Sequence, residues 1–148
     1  MSKGSIILRS IYAACLALAT IAHVLVDVRY GVFLACLEPL GYPVGVRLYW
    51  ASLTFLDPAA AILLFVRPRA GLVLCSVIIA TDVLNNGWVA YHRSEFGPLA
   101  LDNGQTAYHH SGANMSLILE IGFLILVFTT IRYAWKGLPR RPKPAHPH

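Results

Sequence analysis

The sequence predicts an all-helical integral membrane protein, a four-transmembrane-helix bundle with both termini cytoplasmic. Three observations predict it. Of 148 residues, 57% are hydrophobic and 13% charged, where a soluble domain carries about 25% charged residues. Four apolar stretches reach the ~20 residues a membrane-spanning helix needs. Nine of the twelve Lys and Arg residues fall on one side of those stretches, the bias that marks the cytoplasmic face. Barrel strands, about 10 residues of alternating polarity, have no counterpart here.

The first span covers residues 7–28. Lys3 and Arg9 precede its apolar core, as they would in a secretory signal. The run exceeds the ~7–15 apolar residues of a signal, and no convincing small-x-small cleavage site follows. An uncleaved first span is expected. The connection "RYGVFLACLEPLGYPVG" is long and partly apolar, so it lies in the interface, dips back into the protein, or is a plain ordered loop. "FLAC", ending at Cys36, resembles a lipoprotein site, but Asp27 and Arg29 interrupt the apolar run before it, favouring an ordinary loop thiol.

The second span covers 48–66 and contains Asp57-Pro58. Proline removes one helical hydrogen bond, freeing the Thr54 carbonyl and favouring a local kink. "RPR" makes a tight turn into the third span, 70–91. The polar connection "HRSEFGPLALDNGQTAYHHSG" leads to the fourth span, 113–134. The membrane domain thus occupies 1–136. Residues 137–148, "GLPRRPKPAHPH", form a basic, proline-rich tail expected to be disordered and drawn to anionic lipid. Tyr30, Tyr49, Trp50, Trp88, Tyr91 and Tyr108 mark one interface, Tyr133 and Trp135 the other.

Composition also excludes some functions. Net charge is +5, but the basic residues flank apolar spans and form no aromatic-interleaved surface, so nucleic acid is not an expected partner. Cys15, Cys36 and Cys75 form neither a disulfide framework nor a zinc pattern. No metal or cofactor is predicted. His23 and His92 could approach one another, with His109 and His110 nearby, so haem or metal stays a minor alternative, without an HxxxH, ExxH or CxxCH motif.

The informative feature is a polar layer. Counted at ~1.5 Å per residue from the outer ends of the spans, His23 lies about 9 Å deep, Asp57 about 13 Å, Asp82 about 15 Å, Asn85 and Asn86 about 10 Å, and Glu120 about 10 Å. All four helices contribute, and the inner half is nearly bare. Asp82, Asn85, Asn86 and Val89 share a helical face that continues to His92, and His23 and Asp27 are i,i+4 partners. Trp50, Leu53, Thr54 and Asp57 share a face on span two, and Ala113, Ser116 and Glu120 on span four. Ser10, Ala13, Ala17 and Thr20 form a stripe of small residues suited to close packing. An acidic residue facing lipid costs about 2.5–3.5 kcal/mol, so these carboxyls are expected to face one another, water or a subunit. Three of them in one low-dielectric slab cannot all ionise cheaply, and at least one is expected to hold a proton.

The layer predicts a pocket, lined by His23, Asp27, Trp50, Asp57, Asp82, Asn85, Asn86, Trp88 and Glu120, for a small amphipathic or lipid-like ligand. If the ligand is converted, Asp82 or Glu120 is the candidate general acid, with His23 or a second carboxylate as base. "NNGW", with Asn and Trp at i,i+3, resembles in a loose way the small sterol-isomerase-like membrane proteins, whose four- or five-span bundles hold carboxylates, His, Asn and Trp. The alternative is a transport, proton-relay or assembly subunit, working as a homo-oligomer or with a membrane-protein partner. A bacterial inner membrane is the expected location.

Overall fold

In the computed structural model, residues 2–30, 42–92, 99–100, 106–107 and 112–138 are described. Four helices dominate: α1 Lys3–Tyr30, α2 Val44–Val66, α3 Pro68–Tyr91 and α4 Gly112–Lys136. All four contain stretches long and apolar enough to cross a membrane. Between α3 and α4, Leu99–Ala100 (β1) pairs antiparallel with Thr106–Ala107 (β2), a small ladder in a connection expected to be loop. Cys36, Glu38, Glu95, Asp102, Tyr108, His109, His110 and the tail from residue 139 lie outside the described residues.

The helices form a ring, α1 on α2, α2 on α3, α3 on α4 and α4 back on α1. The start of α1 and the end of α4 meet at one end of it, the terminal end, where Ser2 N donates to Gly137 O at 3.2 Å. The α1–α2 and α3–α4 connections leave from the opposite, loop end.

Each helix buries a stripe whose residues recur at three and four. On α2, Val46, Leu53, Asp57, Ala60 and Leu64 are buried. On α1, Ser5, Arg9, Tyr12 and Leu16 are buried, and Thr20, His23 and Asp27 continue that line half-buried. Leu72, Cys75 and Ile79 serve α3, and Val127 and Ala134 serve α4. This recurrence keeps one seam facing its neighbours in a bundle of nearly antiparallel helices. The opposite faces are apolar as well: Leu18, Phe55 and Leu84 are 68%, 73% and 72% exposed. A helix that is apolar all round is suited to lipid rather than water.

Several local expectations are revised. The packing stripe of α1 is Ser5-Arg9-Tyr12-Leu16; Ser10 and Ala17 are exposed. The core needs side chains that reach across the bundle, and these supply them. Helix α2 starts at Val44, after Pro43, so Gly45–Arg47 are helical rather than loop. It runs unbroken through Pro58. The turn after it is a single residue, Arg67, because Pro68 begins α3 at once, a position where its missing N–H costs nothing. Such a turn forces the two backbones together at Gly71, where an added Cβ would collide with the Leu64 backbone nitrogen.

The terminal end is also not bare. Arg9 is 1% exposed; its Nη1 donates to Leu64 O at 2.6 Å and its Nε to Ser5 O at 3.2 Å. It thus caps the last turn of α2, where carbonyls lack helical partners and the helix dipole favours a cation. Ser5 Oγ donates to Ala134 O at 2.7 Å, and the Tyr12 and Thr130 hydroxyls meet at 2.5 Å. Leu138 packs against the core, so the ordered domain reaches past Lys136.

Candidate functional site

Toward the loop end the same seam turns polar on all four helices. Two groups of contacts make up the layer. Between α1 and α2, His23 Nε2 lies 3.6 Å from Asp57 Oδ2. One turn nearer the loop end, Thr54 Oγ1 donates to Asp27 Oδ2 at 2.7 Å. His23 and Asp27 therefore share a face, as their i,i+4 spacing implies, but each finds a partner on α2.

The second group joins α2, α3 and α4 through Asn86. Trp50 Nε1 donates to Asn86 Oδ1 at 2.7 Å. Asn86 Nδ2 donates to Asp82 Oδ1 at 3.1 Å and to Glu120 Oε2 at 3.0 Å. An indole N–H can only donate, so the amide oxygen must face Trp50 and the amide nitrogen must face the carboxyls. The Asn86 side chain thereby joins α3 to two neighbouring helices and bridges Asp82 and Glu120. Asp82 lies within electrostatic reach of both Glu120 and Asp57, which links the two groups.

Tyr49 closes the α2–α3 flank. Its hydroxyl lies 3.0 Å from Thr81 Oγ1 and 3.4 Å from Ile78 O. Because Thr81 Oγ1 already donates to the Val77 and Ile78 carbonyls, Tyr49 is the donor. Tyr49 and Trp50, expected at the interface, both pack against the core. Tyr42 sits over Trp50 with ring centroids 5.8 Å apart.

Two polar atoms in this layer are buried without a hydrogen-bond partner among the described residues: Asp57 Oδ1 and Asn85 Nδ2. Asp57 as a whole is 2% exposed. From the start of α2 at Val44 it lies about 20 Å along the helix axis.

Of the nine residues predicted to line a pocket, His23, Asp27, Trp50, Asp57, Asp82, Asn86 and Glu120 enter these contacts. Asn85 lies on the same side of α3 with its amide nitrogen buried. Trp88 is 41% exposed and stacks on His92 with centroids 4.3 Å apart. It sits about 200° around the helix from Asn86, on the face turned away from the polar contacts. His92 Nδ1 donates to Trp88 O at 3.0 Å. Among the described residues no three His, Cys, Asp or Glu side chains gather into a metal-holding group. The side chains of Ala113 and Ser116 lie outside the described set.

Sequence reasoning missed Thr54 as the partner of Asp27, and Tyr49 with Thr81. Thr54 is one turn above Asp57 on the same stripe, and that shared stripe is the available signal. Tyr49 has none, since an aromatic near a span end ordinarily marks the interface. Comparisons of the chain with protein-family models, curated proteins and solved structures return no match. The likeness to sterol-isomerase-like proteins therefore rests on residue types alone.

Proposed function

We propose that the chain is an integral membrane protein, in a bacterial inner membrane with both termini cytoplasmic, that binds a small amphipathic, lipid-like molecule in its polar layer. The apolar outer faces support insertion. The terminal end carries Lys3, Arg67, Arg69, Arg132 and Lys136, which supports its placement in the cytoplasm. One observation carries the binding reading: the Asp57 carboxyl is buried in the bundle seam and one of its oxygens has no partner among the described residues. An acceptor left open in an apolar interior costs about 1–3 kcal/mol, a cost that a bound donor removes. The ionisable residues around it, set inside a membrane helix, mark function by default.

In this reading the polar head enters beside His23, and the apolar body lies among the spans. Asn86 holds Asp82 and Glu120 in place, while His23 and Asp57 form the pair through which a proton would pass if the ligand is converted. The test is mass spectrometry of molecules that travel with mildly extracted protein. Wild type is expected to retain one amphipath, which Asp57→Asn loses while remaining folded. Equal retention by both, or by Asp82→Asn and Glu120→Gln, would remove the basis for the site.

A further inference from the structure

We infer that the molecule held in the polar layer is polar at both ends, with a hydroxyl deep in the bundle at Asp57 and an acceptor oxygen, of a carbonyl or ester, about 10 Å nearer the loop end at Asn85. The inference rests on the binding reading above and adds the two groups of the ligand and their spacing. It starts from two buried atoms of the layer that have no hydrogen-bond partner among the described residues, Asp57 Oδ1 and Asn85 Nδ2. One accepts and the other donates, yet they do not answer each other, because they stand at different heights. Asn86 meets Trp50 at 2.7 Å, which sets Asn85 at the level of that turn of α2. Asp57 lies about two turns further along α2, or about 10 Å at 1.5 Å per residue.

Both positions border the seam between α2 and α3. Asp57 lies within electrostatic reach of Tyr49 on its own helix and of Cys75 and Asp82 on α3. Asn85 follows Ile78 and Thr81 at i+7 and i+4, so it shares their flank of α3, and both of those meet the Tyr49 hydroxyl on α2. Between the two levels the stripe of α2 is apolar, with Leu53 0% exposed.

The open atoms decide what fits. A carboxyl oxygen accepts when ionised and can donate when protonated. A hydroxyl answers either state, whereas an ammonium or a carboxylate answers only one. His23 lies against the other oxygen of Asp57, Oδ2, at 3.6 Å, which leaves Oδ1 for the ligand. An amide nitrogen only donates, so Asn85 takes a carbonyl, ester or ether oxygen. The neighbouring amide oxygen cannot serve it, since Asn86 Oδ1 already accepts from Trp50. An amphipath with a single head would satisfy one of the two atoms and leave the other open.

The test uses the full chain in phosphatidylcholine nanodiscs and three probes of one chain length. Methyl omega-hydroxydecanoate carries both groups, methyl decanoate lacks the hydroxyl, and decanol lacks the ester. Binding is read from tryptophan fluorescence and from the rise in unfolding midpoint, with probe uptake by empty nanodiscs subtracted. Wild type should bind the hydroxy ester roughly fivefold more tightly than either single-group probe. Asn85→Leu should bring the hydroxy ester level with decanol, and Asp57→Leu should bring it level with methyl decanoate. If the hydroxy ester keeps its advantage over decanol in Asn85→Leu, or has none on wild type, while Asp57→Leu still weakens both hydroxyl probes, the two-ended ligand is wrong and the site at Asp57 stands. If neither substitution changes the binding of any probe, both readings fail. Asn85→Leu removes an amide nitrogen without a protein partner, so it should fold. Should Asp57→Leu not fold, Asp57→Asn, a neutral and weaker acceptor, takes its place with the same expected order.

Discussion

Two adjacent residues, Asn85 and Asn86, have the same side chain and different duties. Asn86 bonds to Trp50, Asp82 and Glu120, whereas the Asn85 amide nitrogen meets no partner among the described residues. Side-chain hydrogen bonds between membrane helices are worth about 0.6 kcal/mol each on average. Two of these bonds, to Trp50 and Glu120, cross between helices, so Asn86→Ala should cost about 1 kcal/mol in a reversible unfolding titration in mixed micelles. Asn85→Ala should change stability by less than about 0.5 kcal/mol, since it removes a buried unsatisfied donor. Equal costs at the two positions would contradict the bonding scheme. The sequence places both asparagines on one broad face with Asp82 but does not separate them, because they lie only ~100° apart and the azimuth of α3 is set by its packing. The carboxyls are legible singly, since an acid in an apolar run is too costly to leave facing lipid. Their partners are not, because each bond crosses between helices and depends on the relative heights of two spans.

At the scale of elements, α2 and α3 act as one rigid hairpin, made so by a one-residue turn and a backbone approach at Gly71. A methyl group there would collide with the Leu64 nitrogen and lie 2.6 Å from the Leu63 carbonyl carbon, so Gly71→Ala must push two helices apart. Overpacking of this kind costs about 1–3 kcal/mol, and it should also loosen the Arg9–Leu64 contact beside it. The expected result is a lowered unfolding midpoint for Gly71→Ala, while Gly122→Ala, which meets nothing within 4 Å, leaves it level or raised. Arg9 makes the second element-scale case. Arg9→Met removes the cap on α2 and leaves the Leu64 carbonyl unpaired, at about 1.5–3 kcal/mol for a hydrogen bond from a charged donor. Arg132→Met, at an exposed site on α4, should cost almost nothing by the same measurement. If the two arginines prove equivalent, the role of Arg9 is only that of a flanking charge. Sequence alone gives it that role, because its position near the start of a span suits either duty. The stripe Ser5-Arg9-Tyr12-Leu16 carries the distinguishing signal: it is the line on α1 that continues through His23 and Asp27. The expected stripe of small residues misses it because small side chains suit close helix contact but cannot reach the carbonyls at the end of α2.

At the scale of the whole molecule, the four-helix class is plain from composition and span length, since few chains place so little charge in so many long apolar runs. The proposed orientation rests on something coarser than any contact. Lys and Arg resist translocation across a bacterial inner membrane, so the end richer in them stays in the cytoplasm. Removing the buried Arg9 from the terminal-end tally leaves Lys3, Arg67, Arg69, Arg132 and Lys136 on the described helices and their one-residue turn, against Arg29 and Arg47 at the loop end. Arg67 and Arg69 carry special weight, because one forms and the other adjoins a turn too short to hold any other topogenic signal. The prediction is that reporters fused after Leu138 behave as cytoplasmic: green fluorescent protein glows and alkaline phosphatase stays silent. Alkaline phosphatase inserted between Tyr42 and Pro43 should be active. Replacing both Arg67 and Arg69 by Glu should produce a mixed population with phosphatase activity at both sites, whereas Arg9→Met should leave the pattern unchanged, because a guanidinium already bonded to α2 contributes little as a free flanking charge. An active phosphatase at the carboxyl end of the unaltered chain would invert the bundle and place the polar layer in the cytoplasmic half of the membrane, where any ligand would have to enter from the other side.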